Sequence, residues 1–395
     1  MDRLKIGETR LDKIELSNGR IIGIEDMDLL REKEIIIDNS THGMYETDTG
    51  QCFSYLNVKK DKAIHCMKAG TSGYGKPYVT LQTGVCNEEY GNLIGNTVSE
   101  YHDQIKQIER QLRTDYGIIA DFKSADLKYL EVNRTFQIEH PFDEYSRVIK
   151  LILSEMPRMN ICSMYSKISG DSSYFAEKVA KVGTYTAWNR RSSVGKSKQC
   201  KVVTFYDKKR QIKGIIYLDG EYMRFEIKLV GIKNIEKAFG TSKLYELTDE
   251  AVNSYFESEI INLIVNPLTK WRANRNVYIK KLIREEREKD VQHWIVNVLR
   301  TLSAKEVLQN GKPCLLDISE IDDIIDRLKI PRKSRIKKMF RQQAEKYEVM
   351  FCQGDNLKLD EIIENLLKVE EPQSMPQKEP QDALDQNSVA GLKTA

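Results

Sequence analysis

Met223-Arg224-Phe225-Glu226-Ile227-Lys228-Leu229 alternates without a break between apolar and charged residues. Successive side chains of a strand point to opposite faces. Met223, Phe225, Ile227 and Leu229 therefore form one face that has to be buried, and Arg224, Glu226 and Lys228 share the other. A lone carboxylate sits between two cations. Two earlier stretches have the same form. In Leu127-Lys128-Tyr129-Leu130-Glu131-Val132-Asn133-Arg134, Leu130 and Val132 point one way, and Tyr129, Glu131 and Asn133 the other. In Lys201-Val202-Val203-Thr204-Phe205-Tyr206-Asp207, Val203 and Phe205 oppose Thr204 and Tyr206. If the apolar faces share one core, three strands of an antiparallel sheet present Glu131, Tyr206 and Glu226 on a common polar face. The expected class is α+β: an antiparallel sheet with helices on one face, followed by a mainly helical C-terminal part.

Outward from these strands the pattern stays mixed. Lys13-Ile14-Glu15-Leu16-Ser17, Asn18-Gly19 and Arg20-Ile21-Ile22-Gly23-Ile24 read as a β-hairpin on a type I′ turn. Short strands are expected at Ala63–Met67 and Tyr78–Leu81. A helix opens at the capping box Thr97-Val98-Ser99-Glu100, and another covers roughly Phe142 to Met156. A shorter strand is expected at Ile215–Leu218. From Asn234 onward helical spacing dominates, over Val252–Ile264, Val277–Leu302, Glu320–Leu328 and Ser334–Phe351. After Lys368 three prolines stand among Glu, Gln, Ser and Lys, too polar a segment to offset its ordering entropy. The expected divisions are 1–45 (hairpin and extension), 46–235 (sheet domain), 236–368 (helical) and 369–395 (disordered tail).

The chain has 395 residues, 40% of them hydrophobic and 31% charged, and a net charge of only +3. A nucleic-acid partner therefore has to be met by local basic clusters. Nothing approaches a membrane-spanning apolar run, and Met1–Lys5 lacks the apolar core of a secretory signal. Seven cysteines are scattered with no C-x-x-C pair, which argues against structural zinc and disulfides and for reduced thiols in a cytoplasm.

Two carboxylates on one sheet face suit a hard divalent cation, Mg²⁺ or Mn²⁺, which can polarise a phosphodiester. A neighbouring tyrosine has the chemistry for covalent attack on phosphorus, and a phosphotyrosine link keeps the bond energy for resealing. Free tyrosine ionises near ~10, so it needs activation, to which Lys208 and Lys209 can contribute. The ordinary alternative is that each acid is simply solvated. Arg190-Arg191-Ser192-Ser193-Val194-Gly195-Lys196-Ser197-Lys198 is a basic loop, with Trp188 placed to stack a base. Gly195-Lys196-Ser197 ends like a P-loop, but Arg190 stands where the first glycine belongs, which rejects an NTPase. Farther on, an acidic helix at Ile318–Leu328 meets Lys329-Ile330-Pro331 and then the basic run Arg332, Lys333, Arg335, Lys337, Lys338 and Arg341. That is the outline of a helix-turn-helix, and equally of a plain helical hairpin with one charged face.

Gly183-Thr184-Tyr185-Thr186-Ala187-Trp188-Asn189-Arg190-Arg191-Ser192-Ser193, followed by Val202-Val203-Thr204-Phe205-Tyr206-Asp207-Lys208-Lys209, resembles the central motif of rolling-circle replication initiators of small Gram-positive plasmids and related phages. Arg224-Phe225-Glu226 and Leu130-Glu131-Val132-Asn133-Arg134 are similar to that family's other strands, so the resemblance covers roughly 50 to 230. It implies a nicking domain with Tyr206 as nucleophile, Lys208 beside it, and Glu131 and Glu226 as metal ligands. It also implies an origin-DNA partner, for which the residues themselves offer Trp188, Arg190, Arg191, Lys196, Lys198, Lys209 and Arg224 as contacts, with Arg332, Lys333, Arg335, Lys337 and Lys338 of the helix-turn-helix outline reading duplex. A host helicase and a homodimer are further partners of this reading. There are departures. Arg210-Gln211 stands where members often carry a glutamate, and there is no His-hydrophobic-His triplet; His65 and His140 are single and read as structural. Tyr185, Tyr217 and Tyr222 are reserve nucleophiles. A conjugative relaxase and a non-enzymatic DNA-binding regulator are the alternatives. A helical tyrosine recombinase is disfavoured by the absence of its Arg…His-x-x-Arg…Tyr pattern.

Overall fold

In the computed structural model the described residues are 7–38, 43–61, 63–85, 93–157, 160–162, 184–191, 198–211, 220–308, 318–346 and 355–367. The expected strand Ile215–Leu218, Lys196 and the tail 369–395 lie outside them. The strands begin with β1 (Thr9–Ser17), β2 (Arg20–Ile24), β3 (Ile36–Ile37), β4 (Tyr45–Glu46), β5 (Cys52–Phe53), β6 (Tyr55–Val58) and β7 (Ile64–Thr71). They continue with β8 (Pro77–Gly84), β9 (Ile118–Asp121), β10 (Asp126–Ile138), β11 (Asn160–Cys162), β12 (Thr184–Arg191), β13 (Lys198–Asp207) and β14 (Glu221–Val230). Ten of them form one antiparallel sheet in the order β11-β12-β13-β14-β10-β1-β8-β7-β6-β3.

The helices are α1 (Met27–Glu32), α2 (Val98–Tyr116), α3 (Ser146–Glu155), α4 (Ile232–Phe239), α5 (Asp249–Ile260), α6 (Asn266–Lys289), α7 (Trp294–Leu308), α8 (Ile318–Asp326), α9 (Lys333–Lys346) and α10 (Asp355–Leu367). The fold is α+β, as expected. Leu130, Val132, Val203, Phe205, Met223, Phe225, Ile227 and Leu229 are all buried in one core with residues of α3, α4, α5 and α10. Phe225 packs 4.6 Å from Phe205 on the neighbouring strand and edge-on at 5.8 Å to Phe256 of α5. A second core lies between α6, α7, α8 and α9, around Ile283, Leu299, Ile324 and Phe340.

Local chemistry fixes the element ends. Both halves of the capping box form at α2: Glu100 N–H donates to Thr97 Oγ1 (3.0 Å) and Thr97 N–H to Glu100 Oε2 (2.6 Å). Gly117 closes that helix in the left-handed conformation, φ 64°. The segment before α2 runs against β1 through paired Leu11 and Asn96 backbone bonds of 2.8 and 2.7 Å. It comes so close that a Cβ on Gly95 would stand 2.4 Å from the Leu11 carbonyl oxygen.

Three expectations are corrected. Residues 13–24 do not form a hairpin: β1 pairs with β10 and β8, while β2 leaves the sheet to pair with β9. Asn18 takes a positive φ of 60°, but Gly19 does not supply the second one that a type I′ turn needs. The segment before residue 45 thus contributes an interior strand of the sheet. The single helix expected over 277–302 is two, broken where Asp290 accepts the Gln292 and His293 N–H groups at 2.9 Å each. Conversely, α5 runs into α6 through one π-helical stretch, Ile261–Val265. Finally α10, not anticipated, returns to the sheet: Leu359, Ile362 and Leu366 enter the first core, and Arg134 of β10 donates to the Leu366 carbonyl at 2.7 Å.

Candidate active site

The register sets the site. In β13, β14 and β10, Thr204 stands opposite Glu226, which stands opposite Asn133; Tyr206 stands opposite Arg224, which stands opposite Thr135; Lys228 stands opposite Glu131. Odd residues of β10 and even residues of β13 and β14 thus share the face turned away from the aromatic core. On the next strand the pairing slips. Leu11 faces Val132 and Ile14 faces Leu130, so Asp12 and Lys13 together stand opposite Glu131, a β-bulge. The bulge keeps Leu11 and Ile14 both in the core and turns Asp12 to the polar face.

That face is not open to water. Asp12, Glu131, Glu226 and Arg224 are all buried, Arg224 completely. A carboxylate oxygen from each of Asp12, Glu131 and Glu226 lies within 4.8 Å of the other two. Arg224 holds one side of this triad: its Nη1 donates to Asp12 Oδ2 (2.7 Å), its Nε to Thr135 Oγ1 (2.8 Å) and its Nη2 to the Leu93 carbonyl (2.6 Å). Lys228 holds the other, with Nζ 3.0 Å from Glu131 Oε1 and 2.6 Å from Glu226 Oε1. The contact with Glu226 is the shorter of the two. The Tyr129 hydroxyl donates to Glu131 Oε1.

Tyr206 lies beside the triad. Its hydroxyl donates to Glu226 Oε2 at 3.3 Å and receives a long bond from Arg224 Nη1 at 3.4 Å. It is 7% exposed, and burial pushes its ionisation well above the ordinary tyrosine range, with Arg224 opposing the rise and Glu226 and Asp12 adding to it. Burial also raises Glu226, and the charge of Glu131 adds to this. Lys208 is wholly buried; its Nζ sits 5.7 Å over the Tyr206 ring and donates to Gln211 at 2.9 Å. Burial first, and the Arg224 charge second, pull its ammonium down to about 6, so near neutral pH it is mostly an uncharged amine.

Tyr206, Lys208, Glu131 and Glu226 are therefore brought together, and Asp12 joins them. The DNA-contact residues fall into different settings. Arg224, placed among them by the sequence, has no exposed surface, and the bonds just described are internal. Lys209 is half-buried and pairs with Glu221 at 2.8 Å. Trp188, Arg190 and Arg191 lie on β12 opposite Val202, Gln199 and Lys198. In the helical part, Lys333 donates to the Asp326 carbonyl at 2.5 Å and Lys337 pairs with the Asp326 carboxylate at 2.6 Å, whereas Arg332, Arg335 and Lys338 are exposed. Of the reserve tyrosines, Tyr185 packs 6.0 Å from Phe142 on the core side, Tyr222 is buried at the start of β14, and Tyr217 lies outside the described residues.

No helix among the described residues is long and apolar enough to cross a membrane. No family model matches the sequence, and no curated protein matches it. Among solved structures, 65% of this chain aligns with 85% of a rolling circle replication initiator protein from Geobacillus stearothermophilus, at 10% identity and a TM-score of 0.28. A likeness that loose carries no argument about function.

Proposed function

We propose that the chain is a metal-dependent DNA strand transferase that nicks and rejoins a single strand through Tyr206, as an initiator of rolling-circle replication. The observation that carries this reading is the convergence of three carboxylates and a tyrosine on one sheet face, with the phenol oxygen 3.3 Å from Glu226. The donor set is all oxygen, from three carboxylates that lie within 4.8 Å of one another, which fits a hard cation. Asp12, Glu131 and Glu226 would hold a Mg²⁺ or Mn²⁺, which when bound would supply Lewis-acid polarisation of a phosphodiester.

The chain's own residues divide the remaining work. Glu226 Oε2 accepts the Tyr206 hydrogen bond and is the group positioned to take the phenol proton as the oxygen attacks phosphorus. Arg224 Nη1 stabilises the charge that then builds on that oxygen. The new phosphotyrosine bond forms as the P–O3′ bond breaks, and the 3′ oxygen leaves to be reused in rejoining. Lys208, uncharged and next to the ring, is a second proton acceptor within the buried face.

A second reading is favoured by the burial of Tyr206 and by the exposure of Arg332, Arg335 and Lys338: a DNA-binding regulator whose buried polar face is structural. One experiment separates the two. The protein is incubated with labelled single-stranded DNA spanning the hairpin region next to its own gene, with and without Mn²⁺, and resolved on denaturing gels. A metal-dependent protein–DNA adduct that is absent in Tyr206→Phe is the expected result. An adduct that persists moves the nucleophile to another tyrosine. Absence of cleavage together with salt-sensitive duplex binding leaves the regulator.

A further inference from the structure

Three buried acids need three positive charges, and Arg224 and Lys228 between them supply two. The two cations are held very differently. Arg224 is fully buried, and its donors are divided among Asp12, Thr135, Tyr206 and a backbone carbonyl, so it is part of the framework. Lys228 reaches the acids from a side chain that is 29% exposed. Among the described residues, the partners of its ammonium are Glu131 and Glu226. Both contacts are made to Oε1 atoms. The ammonium therefore sits between two of the three carboxylates that converge there.

We propose that Lys228 is a resident cation that a divalent ion displaces: its ammonium occupies the gap between Glu131 and Glu226, and metal enters by exchanging with it. A compact ammonium on a flexible four-carbon stem can leave by rotating about its own side-chain bonds toward solvent, which a buried, multiply bonded guanidinium cannot do. The exchange replaces one positive charge with two and closes the deficit among the three acids. Lys228 then sets how readily the site takes up metal, keeping the buried acids compensated when metal is absent. This deepens the proposed function, since it rests on the triad as a metal site.

The test measures Mn²⁺ binding alone, with no DNA and no turnover. The full chain is freed of metal with a chelator and titrated calorimetrically, and free Mn²⁺ is followed by electron paramagnetic resonance. Lys228→Met is expected to bind one Mn²⁺ about threefold to fivefold more tightly than wild type, the change that follows from removing one competing, partly exposed ion pair. Its melting temperature in chelator is expected to fall below that of wild type, and to rise by more than wild type's when Mn²⁺ is added. Lys228→Arg, whose planar fork holds two carboxylates more firmly, is expected to bind Mn²⁺ more weakly than wild type. If Lys228→Met binds Mn²⁺ no more tightly while Glu226→Gln folds and loses binding, the metal site stands and the exchange is overturned. If neither wild type nor Lys228→Met binds Mn²⁺ while both are folded, the metal reading falls and the exchange with it. Should Lys228→Met fail to fold, Lys228→Arg decides: affinity equal to or above wild type overturns the proposal.

Discussion

The molecule uses the same charged residue types in two opposite ways. On the sheet's polar face, Arg224, Lys208 and Lys228 are drawn inward among Asp12, Glu131 and Glu226. On the hairpin of α8 and α9, Lys337 pairs with the exposed Asp326 and Arg341 reaches the buried Asp322, while Arg332, Arg335 and Lys338 stay in water. In sequence both are runs that mix charged with apolar residues, at a period of two in the strand and at helical spacing in α8 and α9. What separates them is the dielectric around them. A buried charge has to be matched by a fixed partner, or it shifts its ionisation or destabilises the fold. A surface charge is free to engage a mobile polyanion. The first arrangement fits the proposed site; the second leaves cations that a polyanion can reach.

The comparison is sharpest at Arg224. Replacing it with methionine removes the partner of Asp12 and leaves a buried carboxylate uncompensated. A loss of about 3–5 kcal/mol in unfolding free energy is expected, the range for breaking a buried pair from one side. Urea denaturation of Arg224→Met measures it. The double variant Arg224→Met with Asp12→Asn should recover much of the loss, because cation and carboxylate are then removed together and the balance of charge on the face is that of wild type. A loss below about 1 kcal/mol would place this pair in the surface class instead.

Lys208 tests the same contrast through pH. Its folded-state value near 6 lies below the usual 10.5, so the unfolded chain binds the proton more tightly. The stability that follows is fully present above about 10.5 and is lost as pH falls through the folded value near 6. Within that window the contribution changes by about 1.4 kcal/mol per pH unit. Melting curves from pH 6.5 to 9.5 should therefore show wild type gaining on Lys208→Met as pH rises. Parallel curves for the two proteins would mean that Lys208 keeps its charge in the folded state.

How much of this was legible in sequence follows from the range over which each signal acts. The period of two in residues 223–229 is local, and it placed Glu226 and Arg224 on one face and Phe225 on the other, as the sheet has them. Order along the chain brought Glu131 and Tyr206 to the same face. Asp12 was not legible because it sits in a bulge: Leu11 and Ile14 are three apart yet both enter the core, which breaks the period by which it would have been found. The Asn18-Gly19 turn misled for the converse reason. Its signal is short-range, whereas the true partner of β1 is β10, more than a hundred residues later, and β8 fills the other edge. Nor did alternation show that the polar face is covered. The Leu93 carbonyl that caps Arg224 and Thr135 comes from a connection with no periodic pattern.

The smallest effect on stability is expected where the charges are outside. Arg332, Arg335 and Lys338 are exposed at the start and on the flank of α9, after a turn in which Arg332 itself takes a positive φ of 58°. Changing all three to alanine removes three cations and no buried contact, so unfolding free energy should move by less than about 1 kcal/mol. Duplex binding should respond quite differently. Each lysine or arginine that neutralises a phosphate steepens the dependence of log affinity on log salt by about 0.9. If all three meet DNA, the triple variant should lose between two and three units of that slope in a salt titration. Lys337, tied to Asp326 at 2.6 Å, should contribute less than any of them, because DNA must first compete with its own carboxylate partner. A slope unchanged in the triple variant would remove α9 from the duplex interface and leave DNA contact to the sheet domain, where Arg190 and Arg191 on β12 are the next positions to change.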